Sequence, residues 1–288
     1  MNNLKVLLMG AGDIASRLQP LLAVQGYEVT GARRNPPATA NYPQLQADAR
    51  EANDWQQILT ARPDVIVLTM VPTEFSDIGY QQGYVEPVQA MLGSLTTVPD
   101  YQPFIVFVSS SSVYSEREGG WISERSPTNP DSFSGQRLEE AENLLKTSNY
   151  QHVVVRFSGI YGPGREGMLK RLKAGQLTVT PAWTNRIHVR DCAGVLAHLI
   201  GQYRLGKPLH NLYLASDNLP VRQSDFVRGL ATKFGIDASV LPRSEDVGPR
   251  GSKRCDNTRL RETGYTFVYP TWHEGYAELD ASLEKTEH

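Results

Sequence analysis

Two cysteines, Cys192 and Cys255, are too few to make a disulfide framework, and no C-x-x-C pair is present. The six histidines show neither H-x-x-x-H nor H-E-x-x-H spacing, so no zinc site of standard motif is written in the chain. Long apolar runs are missing too. The longest, Val65–Val71, falls far short of the roughly 20 residues that a membrane helix needs. The first residues carry one lysine and then a short apolar run into glycines, which reads as a strand and not as a signal peptide. An excess of one charge is also absent. Lys and Arg number 29 against 31 Asp and Glu, a net charge of -2, which argues against a protein built to hold nucleic acid. A reducing, cytoplasmic setting follows as the expectation, with no metal and neither membrane nor nucleic acid as partner.

What remains is ordinary globular material. Hydrophobic residues make up 40% and charged residues 21%, enough to bury a full core. A length of 288 residues suits one large domain or a core with a smaller lobe. Apolar runs at Leu4–Met9, Asp64–Met70, Phe104–Val108 and His152–Phe157 predict strands covered on both faces, as in a parallel sheet. Helical spacing predicts helices over Ile14–Gln25, Gly83–Leu95 and Leu138–Lys146, with Tyr27–Gly31 a further short strand. Repeated βα units predict an α/β protein with a Rossmann-type doubly wound parallel sheet. Later, Asp191 is the expected cap of a helix, Asn211–Ala215 a strand, and Ser224–Phe234 a helix capped by Ser224. The expected division is a dinucleotide core over 1–158 and a smaller C-terminal substrate lobe mainly over 159–288, with about 186–215 returning to the core.

Directly after the first strand stands Gly10-Ala11-Gly12-Asp13-Ile14-Ala15, a G-x-G-x-x-A fingerprint in its required strand-to-helix setting. Gly10 permits the tight turn, Gly12 lets a pyrophosphate approach the backbone, and Ala15 lets the helix pack close. The N–H groups around Asp13 and Ile14 face the phosphates at the helix N-terminus. The end of the second strand should carry an acid for the ribose hydroxyl of NAD. It reads Gly31-Ala32-Arg33-Arg34 instead. Arginine pairs with a 2′-phosphate, so NADP(H) is the expected cofactor, with Arg33 the first candidate and Arg34 the second. The alternative is a pair of solvated loop arginines. Asp48 either contacts the adenine or caps the helix around Trp55, and Thr69 at the end of the fourth strand should border the cofactor ribose.

Later segments resemble the extended short-chain dehydrogenase/reductase family, which includes nucleotide-sugar epimerases and dehydratases. Val106–Tyr114 is similar to its fifth strand and S-S-x-x-V-Y turn, and Glu124–Pro130 to its E-x-x-P-x-x-P approach. Arg156–Gly164 is similar to R-x-x-x-x-Y-G-P-G, and Arg186–Asp191 to the later H-V-x-D element. Leu260–Tyr265 with Tyr269-Pro270 is similar to the family's C-terminal L-x-x-x-G-Y and proline, so the resemblance runs from about Leu4 to Tyr276. It implies a cytoplasmic enzyme, a small-molecule substrate and a homodimer. It also implies a catalytic Y-x-x-x-K pair, whose tyrosine exchanges a proton with the substrate oxygen. In that register this chain reads Phe133 and Arg137. Phenylalanine has no proton to give, and arginine keeps its proton while still able to bind ribose hydroxyls.

Ser110 matches the family's catalytic serine, and Ser112 stands beside it in the turn. Tyr114 and Tyr161 lie in loops that should flank the nicotinamide, where either could supply a phenol; a packing role is the alternative for each. Glu124 reads as a solvated loop carboxylate, with an acid/base group near the pocket as the alternative, the cluster Arg250, Lys253 and Arg254 as a solvated basic loop or a site for a substrate phosphate or carboxylate, and Gly79–Tyr84 as a cleft lining or a lead into a helix. Two functions stand open. One is an NADP-dependent oxidoreductase, epimerase or dehydratase acting on a small polar substrate, with a nucleotide sugar as one candidate. The other is an NADP(H)-binding sensor or scaffold without redox chemistry. An RNA-binding scaffold finds little support in the charge balance.

Overall fold

The computed structural model describes residues 3–284. In chain order the first elements are β1 (Lys5–Met9), α1 (Asp13–Val24), β2 (Glu28–Arg33), β3 (Gln44–Gln46), α2 (Ala52–Leu59) and β4 (Val65–Leu68). Then come α3 (Asp77–Tyr80), a π-helical turn (Gln81–Val85), α4 (Glu86–Leu95), β5 (Phe104–Ser110), β6 (Trp121–Ile122), α5 (Phe133–Lys146) and β7 (His152–Phe157). The remainder comprises β8 (Gly159–Tyr161), α6 (Gly167–Lys173), β9 (Trp183–Thr184), β10 (Arg186–His188), α7 (Val189–Arg204), β11 (Leu212–Ala215), β12 (Val221–Arg222), α8 (Gln223–Lys233), β13 (Arg254–Cys255), α9 (Thr258–Glu262) and α10 (Trp272–Glu284).

Seven strands form one sheet in the order β11-β7-β5-β4-β1-β2-β3. The pairs β2–β3, β1–β2, β1–β4 and β4–β5 are parallel, with Val6 opposite both Val29 and Val65. Every residue of Val65–Leu68 and of Phe104–Phe107 is buried, because helices cover both faces and no position is left for alternation. The order reverses at β1, the switch point beside which doubly wound sheets bind ligands.

The chain divides into two compact units. The first comprises the residues up to Val113, Thr128–Arg156 and Ala193–Tyr213; the second comprises Tyr114–Pro127, Phe157–Cys192 and the residues from Leu214 onward. In the second unit β8 pairs with β10, β9 with β12 and β6 with β13. Its apolar core gathers Leu172, Phe226, Leu230, Trp272 and Tyr276. Among the described residues no helix is long and apolar enough to cross a membrane.

Several element boundaries differ from expectation, each for a local reason. Helix α5 starts at Phe133 and not near Leu138, because the Ser132 hydroxyl accepts from the Gly135 N–H and caps it. The helix expected over 83–95 begins earlier and includes the π turn. Asp191 is no cap: α7 opens at Val189, and the buried Asp191 carboxylate accepts from the N–H groups of Val268 and Tyr269 and from the Tyr265 hydroxyl. Ser224 is not a cap either, since α8 opens at Gln223 behind Arg222.

Candidate functional site

The glycine loop sits between β1 and α1 in the first unit. Gly10 has φ +84°, and a Cβ there would lie 2.6 Å from the Met70 backbone nitrogen at the end of β4. Both facts demand glycine for reasons internal to the protein. Gly12 is different. A Cβ there would approach only the Gly10 carbonyl, at 3.7 Å, so no protein atom requires glycine at this position. Gly12 is the residue before α1, and no side chain caps that helix. The first N–H groups of a helix have no partner within it, and the dipole adds positive potential there. Open space above an uncapped helix start suits a diphosphate. Ala15 is fully buried and lets α1 pack against the sheet.

The neighbouring candidates divide. Asp13 pairs with Arg17 along α1 at 2.8 Å, and Ile14 is buried, so backbone N–H groups are what these two offer a phosphate. Thr69 is buried, and its hydroxyl donates to the Gly10 and Met9 carbonyls at 2.9 and 3.2 Å. It fastens the loop to β4. Arg33 ends β2, half-buried, with Nη1 donating to the Ala11 carbonyl at 3.0 Å, and Arg34 next to it is exposed. Asp48 does not cap α2. Its carboxylate accepts from the Arg50 N–H, Nε and Nη2, and Arg50 beside it holds its carboxyl below the usual range.

At the end of β5, Ser110 Oγ accepts from the Ser112 N–H at 3.1 Å, closing a one-turn helix over Ser111–Val113. A Cβ at Gly135 would lie 2.7 Å from the Ser112 carbonyl, so the first turn of α5 lies flush against this serine turn. Phe133 opens that helix, with its ring 5.0 Å from Phe75 and 5.5 Å from Tyr80. Arg137, one turn on, forks onto both Asp77 oxygens at 2.8 Å and reaches Glu140 at 2.8 Å. Asp77 and then Glu140 push its pKa further up. This engagement was not legible in sequence, because Asp77 lies 60 positions away.

In the second unit the two candidate tyrosines are packing residues. Tyr114 is 2% exposed and donates to the Ser123 carbonyl at 2.9 Å. Tyr161 is 4% exposed and stacks on Tyr276 with ring centres 4.8 Å apart. Burial pushes its phenol far up. Glu124 is a fastener and not a solvated carboxylate: it is buried at 3% side-chain exposure and accepts from the Leu214 N–H at 2.8 Å. Lys253 is buried and donates from Nζ to the Tyr114 carbonyl. Arg254 lies 5.0 Å from the Trp121 ring centre and 4.9 Å from that of Trp183. Neither residue belongs to a solvated basic loop. His188 is wholly buried against Tyr269, with Nε2 3.4 Å from Glu278.

Sequence reasoning missed the polar interior of the second unit. Arg186 is buried with its guanidinium 3.3 Å from the centre of the Phe226 ring. Asp217 is 1% exposed; Oδ1 accepts from the Leu219 N–H, while Oδ2 has no hydrogen-bond partner. Burial pushes this carboxyl from an ordinary 3.8 up to about 7, against the pull of the Leu219 N–H and Arg186. The folded state therefore holds the Asp217 proton across a window in which the unfolded chain has lost it. The associated stability is whole below pH 3.8 and is lost as pH rises toward 7. Asp217→Asn is expected to flatten that decline and to raise the melting temperature above the window. Thermal melts of both proteins across it are the check, and an unchanged slope in the variant would count against the assignment.

Comparison with known proteins places this geometry. Protein YeeZ of Escherichia coli strain K12 is 28% identical over 282 residues, covering 92% of this chain and 96% of that one. The structure of a provisionally assigned NAD-dependent epimerase/dehydratase from Methylobacillus flagellatus is 35% identical, with a TM-score of 0.83 over 98% of this chain and 100% of that one. MoeE5, solved with UDP-glucose and NAD, shares the fold at 21% identity, with a TM-score of 0.79 over 99% and 100% of the two chains. The sequence profile of the RmlD substrate binding domain matches residues 4–284. With its glycine loop, seven-stranded sheet and second unit, this chain belongs to the RmlD substrate binding domain family, and its fold is of the extended short-chain dehydrogenase/reductase, epimerase/dehydratase-like type.

Proposed function

We propose that this protein is an NADP(H)-dependent oxidoreductase or epimerase/dehydratase-like enzyme acting on a small polar substrate, with nucleotide sugars the first class to try. The observation that carries the reading is the open space at Gly12 above the uncapped start of α1. The backbone from Gly12 to Ala15 would hold the diphosphate, and the dinucleotide would supply hydride chemistry when bound. Preference for the phosphorylated cofactor rests on Arg33 and Arg34 standing where an acid would serve the unphosphorylated one. Arg33 is already oriented by Ala11, and Arg34 presents its charge to solvent. Ser110 and Ser112 are the hydroxyls proposed to hold the substrate oxygen.

Calorimetric titration with NADPH and NADH tests this directly. NADPH is expected to bind more tightly, and Arg34→Ala or Arg33→Ala to weaken NADPH roughly tenfold to a hundredfold while leaving NADH nearly unchanged. Equal affinities in the wild-type protein would remove the preference. One observation favours a second reading, a dinucleotide-binding sensor without turnover: Arg137 is held by Asp77 and Glu140 and not presented to a ribose. Multiple turnovers of hydride transfer by the purified protein would exclude it.

A further inference from the structure

Two arginines are buried among the described residues, Arg156 and Arg186, each 6% exposed. Arg156 is met by a carboxylate, its Nε and Nη2 edge forking onto Glu142. Arg137 uses the same edge on Asp77, and Arg50 uses it on Asp48. Arg186, on β10, has no such partner. Its Nη1 donates to the Thr184 hydroxyl oxygen at 3.0 Å, and neither Nε nor Nη2 has an acceptor among the described residues. Burying a guanidinium without an anion is costly, because water is lost and nothing replaces it at the donors.

Two contacts hold this guanidinium in place. It lies 3.3 Å from the centre of the Phe226 ring, which returns part of the lost solvation. Thr184, whose hydroxyl donates onward to the Val221 carbonyl at 3.0 Å, holds Nη1. What is left is the Nε and Nη2 edge, a pair of parallel N–H donors. Neither atom is among the sealed side-chain atoms without a partner, a set that includes Asp217 Oδ2, so the edge keeps an opening to solvent. Asp217 acts on Arg186 through space but does not hydrogen-bond it, and its Oδ1 is taken by the Leu219 N–H. Burial pulls the Arg186 pKa from 12.5 down to about 10, against Tyr276, Asp217 and Tyr161, and no second cation acts on it.

We propose that the Nε and Nη2 edge of Arg186 anchors the carboxylate of a small-molecule ligand bound by the second unit. The match is one of shape and charge. Parallel N–H donors take the two oxygens of a flat carboxylate, in the arrangement that Arg156 and Arg137 already use inside the protein. A single guanidinium balances a single negative charge, whereas a diphosphate brings more charge than it neutralises. The inference uses residues of the second unit alone. It goes beyond the dinucleotide reading and stands or falls whether or not the glycine loop holds a cofactor.

Thermal melts and calorimetry on the full chain test it, at constant ionic strength and at a pH below the Asp217 value of about 7. The probes are acetate, lactate and benzoate, each against its own amide, with inorganic diphosphate as the competing anion. At least one carboxylate is expected to raise the wild-type melting temperature in a saturable way, with its amide and diphosphate giving no such rise. Arg186→Met keeps the length of the side chain but not the fork. It should bind that carboxylate at least about tenfold more weakly and hold its unliganded melting temperature, since it removes a buried charge that no carboxylate pairs. Arg186→Lys keeps the charge without the fork and should also weaken binding roughly tenfold. The inference is overturned if no carboxylate saturates on wild type, if an amide or diphosphate matches the carboxylate, or if the response survives in Arg186→Met. Should Arg186→Met not fold, Arg186→Lys decides: wild-type affinity there overturns the inference, and the tenfold loss supports it.

Discussion

Gly12→Val is expected to weaken NADPH binding roughly 10²–10⁴-fold while leaving the melting temperature within about a degree of wild type. The magnitude corresponds to losing two charge-assisted hydrogen bonds from backbone N–H groups to phosphate, at roughly 1.5–3 kcal/mol each. The selectivity comes from the geometry. The φ of Gly12 is −101°, on the side of the backbone map that other residues use, and its nearest obstacle to a side chain is 3.7 Å away. A Cβ at this position therefore meets no protein atom closer than 3.7 Å, and a valine there would compete for the space a diphosphate would use. Gly10→Ala is the contrasting control. It forces a residue with a Cβ to φ +84° and drives that Cβ to 2.6 Å from a backbone nitrogen that cannot swing aside. That variant is expected to lose roughly 2–4 kcal/mol of stability whether or not cofactor is present. Thermal melts and calorimetry on the two variants check the pair. A Gly12→Val protein that binds NADPH as wild type does would remove the dinucleotide site from this loop.

Removing the Glu142 carboxylate is expected to be strongly destabilising. Glu142 on α5 accepts from Arg156 of β7 through Nε at 2.9 Å and through Nη2, and from the Ser109 hydroxyl of β5 at 2.5 Å. The Glu142 and Arg156 side chains are 8% and 7% exposed. Glu142→Ala takes the carboxylate from a buried guanidinium and from the Ser109 hydroxyl, at a cost of roughly 3–5 kcal/mol. For a chain of this size that corresponds to a fall in melting temperature of roughly 6–20 °C. The double variant Glu142→Leu with Arg156→Met should lose much less, because it removes both charges and keeps the volume. Comparing the three melts separates the cost of removing one partner from the worth of the pair. A single variant that melts as wild type does would show that the Glu142 carboxylate contributes nothing to holding α5 on β7.

Chain regions differ in how much of this was legible beforehand, and the difference follows the range of the interactions. The strands at Leu4–Met9, Phe104–Val108 and His152–Phe157 and the glycine loop were readable because each depends on neighbours within a few positions. Apolar runs can only be strands or helices buried on all sides, and a G-x-G-x-x-A loop behind such a run meets a helix start by local geometry. The missing acid after β2 was equally local. Cap positions were less secure. Asp191 has the composition of a cap, yet its carboxylate is claimed by Val268 and Tyr269, more than 70 positions on.

The contacts of the candidate site residues depend on such distant partners. Nothing near Arg137 in the chain announces Asp77, and nothing near Phe133 announces Phe75 and Tyr80. Tyr114 and Tyr161 carry the residue type for acid–base work, but burial against carbonyls and rings spends them on packing. Pattern and composition settled a doubly wound sheet and a glycine loop between β1 and α1, since these follow from short-range periodicity and residue identity. Which polar groups are exposed, which are orphaned and which ring stands beside Phe133 was settled by packing, because desolvation and ring contacts exist only once segments far apart in the chain have met.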